Sequence, residues 1–414
     1  MMKKLLLPLG LLALSLVACY SPEPFEAEYS DDSSNKNTSS EMGKIFSVNG
    51  GKQTCNPSAS QDTVNYPASM LWLNFSGTLN VKNPDSNFTV TKVLQHDRLT
   101  VSDTANKVKW YLMRDISAGE CQFQDPEWST HPNFIVALRG YDVDGSKSCE
   151  NLDYGIFAVR MSDKNKFWFK KTGIPEEATP HLWVNSDAKP EKDGDPSTLE
   201  GFFGTGDVIL TYVDENQNIQ VVDYVHGSKG KPKTFKLKKP SNRKNWKIDS
   251  PLISPFESGF VVYNMYENST TWEAYIQFID EDSEPFKIEC TKDMMSEPAQ
   301  PHWLYTENYP DYKFSEEIDE SAIVGKTLFV VWSEFPAGSQ MLNKNDLTKS
   351  SVQDGSIGRT VMRSVYTFPR NCDDCVGWNG DNVEIAPVPM TGGITPDGKF
   401  LATGTNPAYL LKLP

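Results

Sequence analysis

Hydrophobic residues along this chain fall into short runs that have the length of a β-strand. After residue 60 no segment sustains a helical period. The runs alternate or are continuously apolar, and Gly, Asn, Asp or Pro bound them, which is typical of β-strands. Clear examples are Phe134–Leu138, Val208–Val213, Phe260–Tyr263, Thr327–Trp332 and Phe400–Thr403. The pattern therefore predicts an all-β fold.

The runs belong to a repeated unit. A second strand candidate follows after a polar turn, at Tyr154–Arg160, Asn218–Asp223, Trp272–Phe278 and Thr360–Val365. Ahead of the runs a proline or glycine recurs, at Pro126, Pro180, Pro251, Pro301 and Gly392. Units of this kind at intervals of roughly 50 to 90 residues indicate a propeller or a solenoid.

The last unit carries the most specific motif. Its segment Pro396-Asp397-Gly398-Lys399-Phe400-Leu401-Ala402 resembles the Ser-Pro-Asp-Gly-Lys/Arg-x-Ile/Leu-Ala motif of TolB-type (PD40, WD40-like) propeller repeats. In such a turn Pro fixes φ, Asp caps the turn and Gly supplies a positive φ. We expect the turn to feed the innermost strand of a blade. Looser copies lie at Ser254–Val262 and Trp128–Ala137, and the resemblance covers about residues 115 to 414.

The resemblance implies an all-β propeller of about six four-stranded blades, with five or seven as the alternatives. Units begin near Cys121, Thr179, Asp249, Glu297 and Gly392. The last unit is too short for four strands. We therefore expect one of the strand candidates Ala68–Phe75 or Lys107–Leu112 to complete it and close the ring, giving a propeller over residues 44–414. The alternative is a separate β-sandwich at residues 44–112 ahead of a five-bladed ring.

The start of the chain has the pattern of an export signal. Two lysines precede an apolar run from Leu5 to Leu16, which is shorter than the about 20 residues that span a bilayer. The run ends in Leu16-Val17-Ala18-Cys19, which resembles the lipobox of bacterial lipoproteins. The resemblance implies a signal peptide at residues 1–18, cleavage before Cys19, and lipidation of Cys19 with a diacylglycerol and a further acyl chain such as palmitate.

Residues 19–43 are rich in Ser, Asp, Asn and Glu and offer almost nothing to bury, so we expect a disordered tether after the lipidated cysteine. Several acyl chains make a stable membrane anchor. Tyr20 stands where lipoproteins retained in the inner membrane carry Asp, so the resemblance implies the outer membrane of the cell envelope.

The charge of the chain excludes one class of partner. The formal net charge is −15, and removal of the leader takes away Lys3 and Lys4. A chain this acidic repels phosphate backbones, and the sequence shows no obvious basic stripe, so we expect no nucleic-acid binding.

The cysteines after Cys19 suggest disulfides, because six thiols in an exported chain are an even number. Cys121 and Cys149 flank one blade and are a plausible pair. Cys372 and Cys375 form the single C-x-x-C, for which a loop disulfide competes with metal binding and redox chemistry. Two aspartates between these thiols oppose a redox role, and zinc would need a second pair of ligands.

Other candidate chemistry is sparse. His181 and His302 occupy matching Pro-His positions, which predicts a structural role in each blade. Asp142-Val-Asp-Gly-Ser146 lacks the later ligands of a calcium loop and is typical of a hairpin turn. There is no nucleophile elbow or phosphate loop. Acidic residues are too many to single out a pair for glycoside cleavage. The sequence thus predicts no catalytic residue, no cofactor and no metal.

Aromatic residues are the remaining indication of a binding site. Trp128, Trp183, Trp303, Trp332 and Trp378 could stack on sugar rings if exposed, or fill the wedges between blades. The hypothesis is a non-catalytic propeller at the cell envelope that binds a protein or polysaccharide partner. The alternatives are a propeller-fold glycosidase or polysaccharide lyase, and an assembly factor for envelope proteins.

Overall fold

The structure, a computed structural model of the 414-residue chain, describes most of the predicted body. The described residues are 44–75, 94–143, 145, 149–190, 194–228, 231–255, 259–268, 271–289, 296–307, 327–336, 359–365, 382–386, 389–403 and 408–413. Among these residues no helix is long and apolar enough to cross a membrane.

Six antiparallel sheets follow one another along the chain. Five have four strands, and the last has three strands extended by an isolated bridge between Ile394 and Leu401. In the five four-stranded sheets the strands pair in chain order, and the first strands of neighbouring sheets contact one another. This arrangement is a six-bladed β-propeller and confirms the predicted all-β fold class.

The strand bounds are as follows, from the central channel outwards. Blade 1 contains β2 (Thr54–Ala59), β3 (Ser69–Asn74), β4 (Arg98–Asp103) and β5 (Val108–Met113). Blade 2 contains β6 (Glu120–Trp128), β7 (Phe134–Asp142), β8 (Leu152–Arg160) and β9 (Lys166–Ile174). Blade 3 contains β10 (His181–Val184), β11 (Val208–Val213), β12 (Ile219–Ser228) and β13 (Lys231–Lys236).

The remaining blades follow the same order. Blade 4 contains β14 (Lys247–Ile253), β15 (Phe260–Asn268), β16 (Thr271–Phe278) and β17 (Phe286–Lys287). Blade 5 contains β18 (Ser296–Thr306), β19 (Thr327–Pro336), β20 (Arg359–Ser364) and β21 (Val383–Ala386). In blade 6 the bridged residue Ile394 takes the innermost place, and β22 (Phe400–Thr403), β23 (Tyr409–Lys412) and β1 (Ile45–Ser47) follow outwards. A 3₁₀ turn (Asn49–Gly51) and one short helix, α1 (Leu199–Phe203), complete the regular elements of the described residues.

The middle strands of each blade are apolar on both faces because a neighbouring blade covers each face. In β7 the first seven residues are all buried, whereas in the outermost strand β9 only the last residue is buried. Continuous apolar runs are typical of strands buried on both faces. This explains why the clearest runs in the sequence are the second strands, β7, β11, β15, β19 and β22, rather than the innermost ones. The expectation that the turn motif feeds the innermost strand is therefore wrong.

The hydrophobic core is divided into six wedges, one between each pair of neighbouring blades. The wedge between blades 2 and 3 contains Phe134, Phe202 and Phe203, and the wedge between blades 4 and 5 contains Trp332. The sixth wedge packs Trp72 of blade 1 against Leu410 of blade 6. The ring is thus closed by apolar packing as well as by strand pairing.

The closing strand differs from the one expected. β1 pairs with β23 in the register Ile45↔Leu411, Phe46↔Leu410 and Ser47↔Tyr409. Both strand candidates between residues 60 and 112 belong instead to blade 1, so residues 44–112 contribute one whole blade and the closing strand, not a separate sandwich. A three-residue strand has no measurable period, so sequence pattern alone did not reveal it.

The outer edge of blade 3 is protected by charge. Lys231, Lys233 and Lys236 on β13 are exposed, and two of them form salt bridges, Lys233 with Glu281 at 3.2 Å and Lys236 with Asp214 at 3.2 Å. Lysines along an edge strand oppose sheet-to-sheet aggregation.

A disulfide joins Cys121, at the start of β6, to Cys149, just before β8. Their Cα atoms are 5.5 Å apart, and the bond ties the innermost strand of blade 2 to a loop at the far end of its central hairpin. Cys55 is disulfide-bonded as well. Cys290, Cys372 and Cys375 lie outside the described residues.

Candidate functional site

The same local irregularity occurs within the innermost strands of blades 1, 2, 4 and 5, and just before the innermost strand of blade 3. A residue with a positive φ precedes a proline in every case: Asn56, Asp125, Thr179, Ser250 and Gln300, with φ values of 44, 44, 39, 51 and 54°. In four of the blades the strand register shifts at this point, as in a β-bulge. Proline is tolerated in a sheet at an edge or a bulge, and the innermost strand is the edge that faces the channel.

Four of the prolines that follow these positive-φ residues were already visible as a repeat in the sequence. They are Pro126, Pro180, Pro251 and Pro301. The first copy, Asn56-Pro57, was missed because no strand of blade 1 was expected before residue 60. The glycines Gly392 and Gly393 take the corresponding place in blade 6, where the N–H of Ala59 donates to the carbonyl of Gly392. A Cβ on Gly393, whose φ is +75°, would lie 2.7 Å from the ring of His302, so only glycine fits there.

Side chains at the bulges link one blade to the next. The Nδ2 of Asn56 donates to Oδ1 of Asp125 at 2.9 Å, and the N–H of Thr179 donates to Oδ2 of Asp125 at 3.3 Å. The N–H of Ser250 donates to Oγ1 of Thr179 at 3.1 Å. These bonds connect blades 1 to 4 around the channel and fix the orientation of the residues two positions after each bulge.

Those following residues line a cavity of about 360 Å³ within the channel. Every blade contributes to it, through Ser58, Glu127, His181, Leu252, His302 and Ile394 in blades 1 to 6. Loop residues between the first and second strands form its rim, among them Gln61, Ser186 and Pro396. The cavity therefore opens on the face that carries these loops, and its volume is at the lower end for sites that hold a small ligand.

Glu127 is the carboxyl group of this cavity. Its Oε1 accepts a hydrogen bond from Oγ of Ser58 at 2.5 Å, and the hydroxyl of Ser58 accepts in turn from the N–H of Trp128. Burial, followed by the charge of Asp125, raises the pKa of Glu127 to about 8. A carboxyl group in this state is protonated at neutral pH and can donate a hydrogen bond.

Asp125 lies in the same bulge, two residues before Glu127, and behaves in the same way. Burial raises its pKa to about 8, and the charges of Asp249, Glu176 and Glu177 add to the effect. Lys247 pairs with one of these carboxyl groups: its Nζ lies 3.4 Å from Oε2 of Glu177. The channel therefore has a row of carboxyl groups beside the cavity, with little positive charge among the described residues to compensate it.

The two cavity histidines are neutral and fixed by the backbone. Nδ1 of His181 accepts from the N–H of Ile253 at 2.9 Å, so its proton is on Nε2. Nδ1 of His302 donates to the carbonyl of Gln300 at 2.9 Å. Burial lowers the pKa of His181 to about 3, with the neighbouring His302 as the next cause, and burial lowers that of His302 to about 4. Matching blade positions converge here because the channel is narrow, which the sequence reasoning did not foresee.

The tryptophans chosen from the sequence have different surroundings. Trp128 and Trp303 line the cavity, where the indole N–H of Trp303 donates to the carbonyl of Leu252 at 2.8 Å. Trp183 packs partly buried in the wedge between blades 3 and 4. Trp332 is fully buried in its wedge and offers no ring to a ligand. Trp378 lies outside the described residues, as do Leu16, Val17, Ala18 and Cys19.

One cluster of metal-binding residue types occurs among the described residues, formed by Cys121, Asp142 and Cys149. Both thiols are used by the disulfide, so the cluster lacks the thiolates that a metal ion would need.

Five groups whose pKa is shifted by burial make stability depend on pH. The pKa of Asp125 and of Glu127 is raised to about 8, whereas burial lowers the pKa of His96 to about 4, of His181 to about 3 and of His302 to about 4. Below about pH 6 the unfolded histidines bind protons that the folded ones do not, so stability rises with pH. Between about pH 6.5 and 8 the folded carboxyls hold protons that the unfolded ones have lost, so stability falls, by about 1–2 kcal/mol in total.

Urea unfolding at pH 6.5 and pH 8 measures this difference. In the double variant Asp125→Asn, Glu127→Gln most of this decrease in unfolding free energy should disappear. In Glu215→Gln, which changes an acid at an exposed turn, the decrease should remain. Equal falls in the wild type and the double variant would show that these carboxyls are ionised in the folded protein.

No family model matches the chain, and no curated protein matches it. Among solved structures it is similar to hydrazine synthase of Kuenenia stuttgartiensis, with 11% identity and a TM-score of 0.34, over 89% of this chain and 76% of that one. It is also similar to the N-terminal domain of Nup159, with 11% identity and a TM-score of 0.34, over 91% and 96% of the two chains. Likeness at this level carries no conclusion about function.

Proposed function

We propose that this protein is a lipid-anchored lipoprotein of the cell envelope, with a TolB-like propeller that binds a protein or polysaccharide partner without catalysis. The lipobox at residues 16–19 supports the anchor and outer-membrane location, and the polar segment up to residue 43 supports a tether. The propeller is held by this tether at a distance from the bilayer and presents the open face of its channel to the partner.

The observation that carries the binding function is the cavity of about 360 Å³ at the channel mouth. It combines fixed polar groups with the rings of Trp303 and Tyr305, and it has a rim of loops. Sites with a few convergent polar groups in a mainly apolar and aromatic wall are typical of ligand binding.

The lining favours binding over glycoside cleavage. Glycosidases of the usual kind need two carboxyl groups on either side of the scissile bond, one protonated and one ionised. Glu127 has the raised pKa of a general acid, but it is the sole carboxyl among the described residues that line the cavity. If the protein released soluble sugar from a polysaccharide, that result would favour the alternative of a glycosidase or lyase.

The proposal is tested in cells with the full chain and with variants of the anchor and the rim. Cys19→Ser should move the protein from the membrane fraction to the soluble fraction and remove palmitate labelling. Ser186→Trp places a bulky ring at the cavity mouth, where Ser186 is exposed, and should abolish crosslinking to the envelope partner or retention on insoluble polysaccharide.

The matched control for the rim variant is Ser241→Trp, at an exposed serine that does not line the cavity. It should retain the partner fully, and no preparation should release soluble sugar. Equal retention by both tryptophan variants would place the binding surface elsewhere, and a membrane-bound Cys19→Ser protein would refute the lipid anchor.

A further inference from the structure

The cavity is unusual in its balance of charge. Among the described residues that line it there is one acid, Glu127, and there is no lysine or arginine. His181 and His302 add no charge at neutral pH because the pKa of each is lowered to about 3 and about 4. An anionic ligand would meet no positive group in this lining.

The acid of the cavity has no ionic partner among the residues that the structure describes. No salt bridge among the described residues involves Glu127 or Asp125, and the groups that donate to Glu127, the hydroxyl of Ser58 and the backbone N–H of Trp128, are neutral. A buried carboxylate is costly unless a positive charge or several donors compensate it. A cation that entered the cavity would supply the missing compensation.

The wall of the cavity suits a positive group with an organic stem. Trp303 and Tyr305 line the space with aromatic residues, whereas the ring of Trp128 is fully buried in the wedge between blades 1 and 2. Aromatic faces attract ammonium and guanidinium groups, and they pack against the methylene stems of lysine and arginine. A bare metal ion fits less well, because no group of three or more ligand atoms lies close together here among the described residues.

We propose that the cavity receives one positively charged side chain, arginine or lysine, from a partner protein, with its charge held against Glu127. This inference rests on the proposed function and assigns its partner to the protein class. The cavity of about 360 Å³ admits a group of this size, and the partner's backbone would lie across the rim loops.

The test uses two isosteric probes and the soluble chain 20–414. Nα-acetyl-arginine amide and Nα-acetyl-citrulline amide differ in the charge of the side-chain head. Isothermal titration calorimetry at pH 7.5 should show the arginine probe binding at least about tenfold more tightly, with an affinity of about millimolar for so small a ligand. Because Glu127 must ionise to pair with the probe, arginine binding should tighten from pH 6 to pH 9, while citrulline binding should not.

Two variants assign the effect to the cavity. Glu127→Gln should remove the preference for arginine over citrulline, whereas Glu215→Gln, at an exposed turn outside the cavity lining, should retain it. Thermal unfolding of each variant verifies that it is folded.

Three results would overturn the inference. These are equal affinities for the two probes, no saturable binding of the arginine probe, and tighter binding of methyl glucosaminide, which would assign the cavity to an amino sugar. If a partner is still lost in Ser186→Trp but retained in Ser241→Trp, the proposed function survives such a failure. If neither tryptophan variant affects retention, the proposed function itself fails.

Discussion

A soluble chain that begins at residue 49 is expected to be less stable than one that begins at residue 44 by at least about 4 kcal/mol. The shorter chain lacks β1, which pairs with β23 over three residues and closes blade 6. It also lacks Val48, which is fully buried in the wedge between blades 6 and 1, and Phe46, which packs against that wedge. A loss of this size is a large part of the 5–15 kcal/mol that stabilises ordinary proteins.

Urea unfolding of the two chains measures the loss. Because an unpaired β23 would expose a sheet edge, the shorter chain should also form oligomers in size-exclusion chromatography. The matched control is a chain that begins at residue 20, which should be as stable as the one that begins at residue 44 if residues 20–43 are only a tether. Equal stability of all three chains would mean that the ring does not depend on β1.

The double variant Cys121→Ala, Cys149→Ala should lose about 3–4 kcal/mol of unfolding free energy. The two cysteines are 28 residues apart in sequence, and a crosslink over a loop of this length restricts the unfolded chain by about that amount. The loss should appear as a lower urea midpoint, with no change in the cavity, because the disulfide lies at the opposite end of β6 from Glu127 and Trp128.

Val143→Ala provides the control, since Val143 is exposed in the same loop and its side chain should contribute little. Addition of Cys55→Ala to the double variant reports what the disulfide at Cys55 contributes. A loss below about 1 kcal/mol in the double variant would indicate that residual structure already holds this loop together in the unfolded chain.

The fold was largely predictable because its signals are local. The apolar runs Val208–Val213 and Phe400–Thr403 coincide with β11 and β22, since strands covered on both faces must be continuously apolar. The prolines at 126, 180, 251 and 301 marked the innermost strands, because a bulge at the channel edge tolerates proline. Their role was misassigned, as the apolar runs were taken for the innermost strands.

The site was less predictable because its residues are far apart in sequence. Trp128 and Trp303 were chosen as aromatic residues, but nothing in their sequence neighbourhoods showed that they line the cavity and that Trp332 does not. Glu127 was one acid among 55 acidic residues. Its raised pKa follows from burial and from Asp125, and neither is visible before the strands are placed.

The sequence by itself determined the strands, the approximate number of blades and the repeated proline, because each depends on residues that are neighbours along the chain. Only the tertiary structure decided that Ile45–Ser47 closes the ring and that Glu127, His181 and His302 share one cavity. Those arrangements join residues tens or hundreds of positions apart. They are stabilised by apolar packing between blades and by hydrogen bonds at the bulges, and these contacts form only in the closed propeller.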